Sequence, residues 1–435
     1  MTMTDGRTRE RPADSSRLEA TRRAGERQRD WFASFRRRVM ESGEPYVIAG
    51  AVAPHEIFHA MDVPVVATPW YSAVIAAKQL SPQYFGLMDQ LGYHAHLPQY
   101  ESLPLMSTLA NDPATAPYGG LPKPALLLDR LRGESAQRIY SQWSKAFGGV
   151  PVFSLDNSSQ THLEPDWFRH NQYDWERLYE SHRIDFQVAQ LKDLIRIGEM
   201  VTHRSFDHSK FVEQMHRINA AGEIVAEVRN LLAETRPCPV PLTEQLSNVM
   251  TATWHRGSQW AVDHLNLYRS EVQRLVNHGT AVCRDERVRL LWGGNGLWFN
   301  TSFYRAFEAK YGAVFVWSMY TNFFSDGYRK YFSDDPLRAL AARHVTMNEL
   351  LHLPPWMSDW IIHQARAFGA HGAVILVPIG DRLAAYGNKF ASLALERAGI
   401  PVLQLSASAV DARLWDHDKM TRLVEEFIEQ RILKK

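Results

Sequence analysis

The chain has 435 residues, 45% hydrophobic and 22% charged. These are ordinary globular values, and two or three packed units are expected because single cores stop growing at roughly 250–300 residues. Lys plus Arg (49) nearly balances Asp plus Glu (48), so no global field argues for nucleic acid or an anionic membrane as partner. No apolar run approaches the roughly 20 residues that span a bilayer. The Arg- and Glu-rich N-terminal stretch has no apolar segment of a secretory signal, so the cytoplasm is the expected location. Cys238 and Cys283 are the only cysteines. They allow one disulfide at most, and reduced thiols are the expected state.

Residues 1–29 are polar and charged without hydrophobic periodicity, the pattern of a disordered or partner-docked tail. Trp31, Phe32, Phe35 and Val39 then recur at helical spacing and predict a docked helix. From Tyr46 the punctuation changes. Tyr46-Val47-Ile48-Ala49-Gly50-Ala51-Val52 is a short apolar run rich in β-formers, followed by Pro54 at a plausible first helical position. Val63-Pro64-Val65-Val66-Ala67, Ala125-Leu126-Leu127-Leu128 and Val150-Pro151-Val152-Phe153-Ser154-Leu155 are three more such runs, the last two separated by a helical stretch over 134–146. Short all-apolar runs alternating with helices predict βαβ units and a parallel sheet buried on both faces.

Residues 175–200 and 211–232 carry helical period with few breakers, which predicts a helical middle segment. Strand–helix alternation resumes at Val288-Arg289-Leu290-Leu291-Trp292, with a Gly-rich turn and a helix over 301–310. Ala313-Val314-Phe315-Val316-Trp317 follows, then Gly372-Ala373-Val374-Ile375-Leu376-Val377, a helix over 383–398, Ile400-Pro401-Val402-Leu403-Gln404-Leu405, and an amphipathic helix over 419–432. The predicted fold is α/β, with two Rossmann-like or flavodoxin-like lobes whose parallel sheets are flanked by helices. The expected organisation is a tail (1–29), an N-terminal α/β lobe (30–165), a helical segment (166–280) and a C-terminal α/β lobe (281–435). Ligands in such folds lie beyond the carboxyl ends of the strands and between lobes.

The stretches Ala53-Pro54-His55-Glu56-Ile57-Phe58-His59-Ala60, Gly372–Pro378 with Ile379-Gly380-Asp381, Gly399-Ile400-Pro401-Val402-Leu403 and Thr421-Arg422-Leu423 carry a resemblance. With them the chain, from about residue 45 to 432, resembles the large subunits of the 2-hydroxyacyl-CoA dehydratase and benzoyl-CoA reductase family. The resemblance implies a CoA thioester as substrate, lyase-type or related acyl-CoA chemistry, and a paralogous partner subunit in a heterodimer or heterotetramer. It also implies a [4Fe-4S] cluster, and here the sequence departs. Gly380 stands where the family's third cluster cysteine would be, with Asp381 retained. Neither 84–107 nor 130–133 contains a counterpart of the other two. No cofactor is therefore expected on this chain itself. A non-catalytic subunit completing a partner's pocket is the alternative.

Several residues are candidates for chemistry. His55-Glu56-Ile57-Phe58-His59 is a literal H-E-x-x-H, the spacing that sets two imidazoles and a carboxylate on one helical face for zinc. The context is poor, because barely two helical turns are available and no further ligand follows nearby, so no metal is expected and a zinc hydrolase is a distant third reading. The resemblance instead implies that Glu56 stands near the acyl group, where a carboxylate can take a proton or anchor a hydroxyl; a first-turn dipole partner is the plain alternative. His55 and Asp381 complete the catalytic candidates, although Asp381 has the pattern of a helix cap. Gly293, Gly294, Asn295, Gly296 and Trp298 form a strand-to-helix turn able to expose backbone N–H groups to a phosphate or thioester, or simply a tight turn. His255, Tyr320 and Arg382 are further candidates for the acyl pocket.

Overall fold

The computed structural model describes residues 9–10, 17–94, 97–130, 133–160, 162, 164 and 166–434; for residues 9, 10, 134, 135, 382, 383 and 386 it describes the backbone alone. The first lobe holds strands β1 (Val47–Ala49), β2 (Val65–Ala67), β3 (Leu126–Arg130) and β4 (Val152–Leu155), all parallel, in the order β2-β1-β3-β4. The second holds β5 (Val288–Gly294), β6 (Ala313–Ser318), β7 (Gly372–Pro378) and β8 (Val402–Ala407), also all parallel, in the order β8-β7-β5-β6. Every residue of β1, β2, β3, β5 and β6 is buried. Helices cover both faces of each sheet, which is why these strands read as continuous apolar runs instead of alternating ones.

Numbered within its own lobe, each sheet has the order second-first-third-fourth. In such a sheet the chain leaves the first strand on one side for the second and returns on the other for the third, so a crevice opens between the carboxyl ends of the first and third strands. The two crevices are predicted at the ends of β1 and β3, and at the ends of β5 and β7.

Between the lobes run α7 (Ser181–Thr202), α8 (His208–Glu234), α9 (Leu242–Trp254) and α10 (Gln259–Asn277), counted after α1 (Glu19–Phe35), α2 (His55–Ala60), α3 (Thr68–Ala77), α4 (Ser81–Gln90), α5 (Gln99–Ala110) and α6 (Glu134–Ala146). After them come α11 (Pro336–His352), α12 (Pro354–Ala367), α13 (Arg382–Arg397) and α14 (His417–Phe427). The stretch expected as a helix over 301–310 is a 3-10 turn, Thr301–Arg305, and a single helical turn, Glu308–Tyr311.

The polar N-terminal stretch differs from the expected tail. From Glu19 it is helical, with Ala20 and Ala24 buried, and Leu18 is buried just before it. Its first turn is pinned from outside, since Glu244 of α9 accepts from the Leu18 backbone N–H at 2.7 Å and Glu271 of α10 accepts from those of Glu19 and Ala20 at 3.0 and 2.8 Å. Carboxylates from two distant helices thus satisfy donors that local sequence leaves open, and no local periodicity could show this.

Candidate active site between the lobes

A cavity of about 730 Å³ lies where the two crevices face each other. Its wall includes Ala51 and Val52 after β1, Gly133 and Ala136 after β3, Asn295 and Trp298 after β5, and Gly380, Asp381 and Ala384 after β7. Both switch points therefore open into one space. Helical residues close it: Pro69 and Ala73 of α3, Tyr100 of α5, Met250, Thr253 and Trp254 of α9, and Leu351 and His352 of α11. The size and the largely apolar, aromatic lining suit a small-molecule site.

Three aromatic residues tie the lobes together across this space. The Trp298 indole N–H donates to the Tyr100 hydroxyl, the Tyr100 and Tyr320 hydroxyls are 3.4 Å apart, and the Trp298 and Tyr320 rings meet edge-on at 5.1 Å. Burial raises the pKa of both phenols, so they stay neutral. Trp298 and Tyr320, expected in the acyl pocket, both line the cavity, as do Asn295 and Asp381. Asp381 also caps α13, its Oδ1 accepting from the Ala384 N–H at 3.1 Å. The side chain of Arg382 lies outside the described residues.

Gly293, Gly294 and Gly296 do not form an open cradle. A Cβ on Gly293 would meet Ile375 Cγ1 at 2.9 Å, one on Gly294 would meet the Leu376 carbonyl at 2.3 Å, and one on Gly296 would meet the Trp298 ring at 2.6 Å. Gly294 also has φ +74°. The glycines let β5 and its turn pack closely against β7 and under Trp298. His255 is likewise placed elsewhere. Its ring sits among Trp31, Trp70 and Trp260 and borders a second hollow of about 440 Å³. From the same run, Thr253 and Trp254 reach the main cavity.

Glu56 is held by two arginines away from the cavity wall. It is fully buried, and Arg343 grips both its oxygens at 2.7 and 2.6 Å while Arg256 Nε donates to Oε1 at 2.6 Å. Burial by itself would push this carboxyl up, but the two guanidinium groups overcome it and hold the pKa well below the usual carboxylate range. The carboxylate lies outside the cavity wall and links α2 to the start of the Arg256 loop and to α11. His55 is buried too, its Nε2 2.8 Å from the Gly50 carbonyl, and burial pushes its pKa well down. Two of the H-E-x-x-H side chains, His55 and Glu56, are thus engaged by protein groups. Among the described residues no group of three or more His, Cys, Asp or Glu side chains is arranged to hold a metal.

The thiolates an iron–sulfur cluster needs do not fit this site either. Cys238 and Cys283 are both buried and not joined in a disulfide, and their sulfurs approach the Val240 and Glu308 carbonyls at 3.3 and 3.5 Å; neither borders the cavity. The corner at Gly380 has no sulfur ligand to offer.

Residues that the sequence did not single out complete the wall, above all Tyr328. It stands four residues after Phe324, and Arg343 and His344 interrupt an apolar helix nearby; charged residues inside a buried helix were the available signal.

No described helix is long and apolar enough to cross a membrane. The family model for "2-hydroxyglutaryl-CoA dehydratase, D-component" matches residues 51–430. The chain is 22% identical over 290 residues to the (R)-2-hydroxyisocaproyl-CoA dehydratase alpha subunit of Clostridioides difficile, which covers 65% of each chain. It is 26% identical over 127 residues to the (R)-phenyllactyl-CoA dehydratase alpha subunit of Clostridium sporogenes, covering 29% of this chain and 31% of that one. Each alignment spans less than two thirds of the relative's own length. The cavity at paired switch points and the match over nearly the whole chain agree: this protein belongs to the 2-hydroxyglutaryl-CoA dehydratase D-component family.

Proposed function

We propose that the chain is the D-component-like subunit of an enzyme that acts on an acyl-CoA thioester, with the acyl group held in the cavity between the lobes. The single observation that carries this is the convergence of both switch points on one aromatic-lined space of about 730 Å³. Its chemistry is lyase-type or a related acyl-CoA transformation, without an iron–sulfur cluster on this chain. A paralogous second subunit completes a heterodimer or heterotetramer, in keeping with relatives named as alpha subunits. The reaction is expected in the cytoplasm. Asn295, Trp298, Tyr320 and Asp381 are the proposed ligand contacts among the residues first singled out.

A second reading, a non-catalytic subunit that completes a partner's pocket, is favoured by one fact: no thiolate borders the cavity. Calorimetric titration of acyl-CoA into the chain, alone and with its partner, tests the proposal. Saturable binding to this chain, weakened by Trp298→Ala, is expected. Binding only to the partner, unaffected by Trp298→Ala, favours the second reading, and no binding to either preparation rejects the acyl-CoA assignment.

A further inference from the structure

Tyr328 brings together the cavity and a buried surplus of positive charge. It lines the cavity beside Ala51. Its hydroxyl lies 3.5 Å from the Ala51 carbonyl, at the outer limit of a hydrogen bond, so its proton is weakly engaged. The phenols of Tyr100 and Tyr320, in contrast, are tied to each other and to Trp298. The guanidinium carbons of Arg256 and Arg343 stand 5.3 and 5.0 Å from the centre of the Tyr328 ring.

The charge count around this ring does not close. Arg130, Arg256 and Arg343 are each at most 2% exposed. Among the described residues Glu56 is the one carboxylate that binds any of them, and it binds Arg256 and Arg343 together. Arg130, at the carboxyl end of β3, makes one long bond to Asn348 Oδ1 at 3.4 Å, and its Nε and Nη1 have no partner among the described residues. The neighbouring Asp129 turns Oδ1 to the Arg130 backbone N–H, and burial pushes its pKa up to about 7, so it supplies at most part of a charge. Asp326 is taken by Arg229. Lys330 and His344, also buried here, supply no anion. Uncompensated positive charge in a dry interior is costly, and it strongly favours negative charge appearing beside it.

We propose that the Tyr328 hydroxyl, backed by the guanidinium groups of Arg256, Arg343 and Arg130, donates a hydrogen bond to a thioester-derived oxyanion bound in the cavity. This rests on the acyl-CoA assignment and names the species the site prefers: an enolate-type oxygen rather than the neutral carbonyl. Burial raises the phenol's pKa although the three guanidinium groups oppose it, so the donor keeps its proton at neutral pH. Glu56 acts here as a positioning residue, holding two guanidinium groups against the Tyr328 ring.

The test compares two thioethers of coenzyme A with side chains of equal length, one alkyl and one nitroalkyl, binding to the full chain with its partner. The nitro ligand loses a carbon-bound proton to the buffer and becomes a nitronate, an enolate mimic with its charge on oxygen and its own near-ultraviolet absorbance. The wild-type protein is expected to bind the nitronate about 100- to 1,000-fold more tightly than the alkyl thioether, the size of effect of one oxyanion donor, and to lower the pH at which the bound ligand ionises. In Tyr328→Phe, which keeps the ring, the affinity ratio falls towards one and the ionisation returns to that of the free ligand. A wild-type ratio near one, or a ratio unchanged in Tyr328→Phe, overturns the inference while leaving the acyl-CoA assignment standing. Failure of both thioethers to bind rejects the assignment and the inference with it.

Discussion

Glu56 carries one negative charge between two guanidinium groups in a fully buried position. Removing one partner of such a group leaves unpaired charge in the interior, which costs about 3–5 kcal/mol. Glu56→Ala is therefore expected to lower unfolding stability by about that amount in urea titration; a loss under about 1 kcal/mol contradicts the geometry. Asp129 makes the opposite kind of prediction. Burial raises its folded pKa to about 7 from the ordinary 3.8, so the folded state binds this proton more tightly than the unfolded chain. Its contribution is full below about pH 4 and is lost as pH rises through about 7. Asp129→Asn should flatten the stability profile across that window, and an unchanged profile would show that the carboxyl ionises freely. The H-E-x-x-H spelling around Glu56 was legible in the sequence, but its chemistry was not. The deciding arginines lie 200 and 287 residues further along, and local spacing carries no information about them.

At the level of elements, the strands were the most legible part because a parallel sheet covered on both faces leaves unbroken apolar runs. Val47–Ala49, Leu126–Arg130 and Gly372–Pro378 lie where such runs stand. The turn after β5 was visible as glycines, yet their cause was not, since it is the approach of β7 and the Trp298 ring. Gly294→Ala would place a methyl 2.3 Å from the Leu376 carbonyl on a backbone of φ +74°. A loss of at least about 1–3 kcal/mol is expected from thermal unfolding, and a neutral effect would mean that the β5–β7 packing is looser than described. Asp381 has a modest structural duty as the cap of α13. Asp381→Ala should lower stability by about 1 kcal/mol, so a larger loss of ligand affinity than of stability in that variant would mark a separate contact in the cavity. The end of the N-terminal helix, with Trp31, Phe32 and Phe35, was legible; its first turns were not, because their anchors, Glu244 and Glu271, belong to other elements.

On the scale of the whole molecule, the two lobes repeat one strand order and turn their switch points towards each other. The α/β class was legible from alternating runs and helices, and the rule for crevices placed the ligand at strand ends in advance. Which loop residues actually meet there depends on how the lobes face, and that separated Trp298, Tyr320 and Asp381 from His255 and Glu56. Family membership and donor chemistry also part company in this chain, because its two thiols lie away from the cavity. The most direct test of the account is a crystal structure of the protein with its partner and a non-hydrolysable acyl-CoA thioether. The acyl group is predicted between the ends of β1 and β3 and those of β5 and β7, against Trp298, Tyr320 and Tyr328. An acyl group seated in the hollow beside His255, or wholly within the partner subunit, would contradict it.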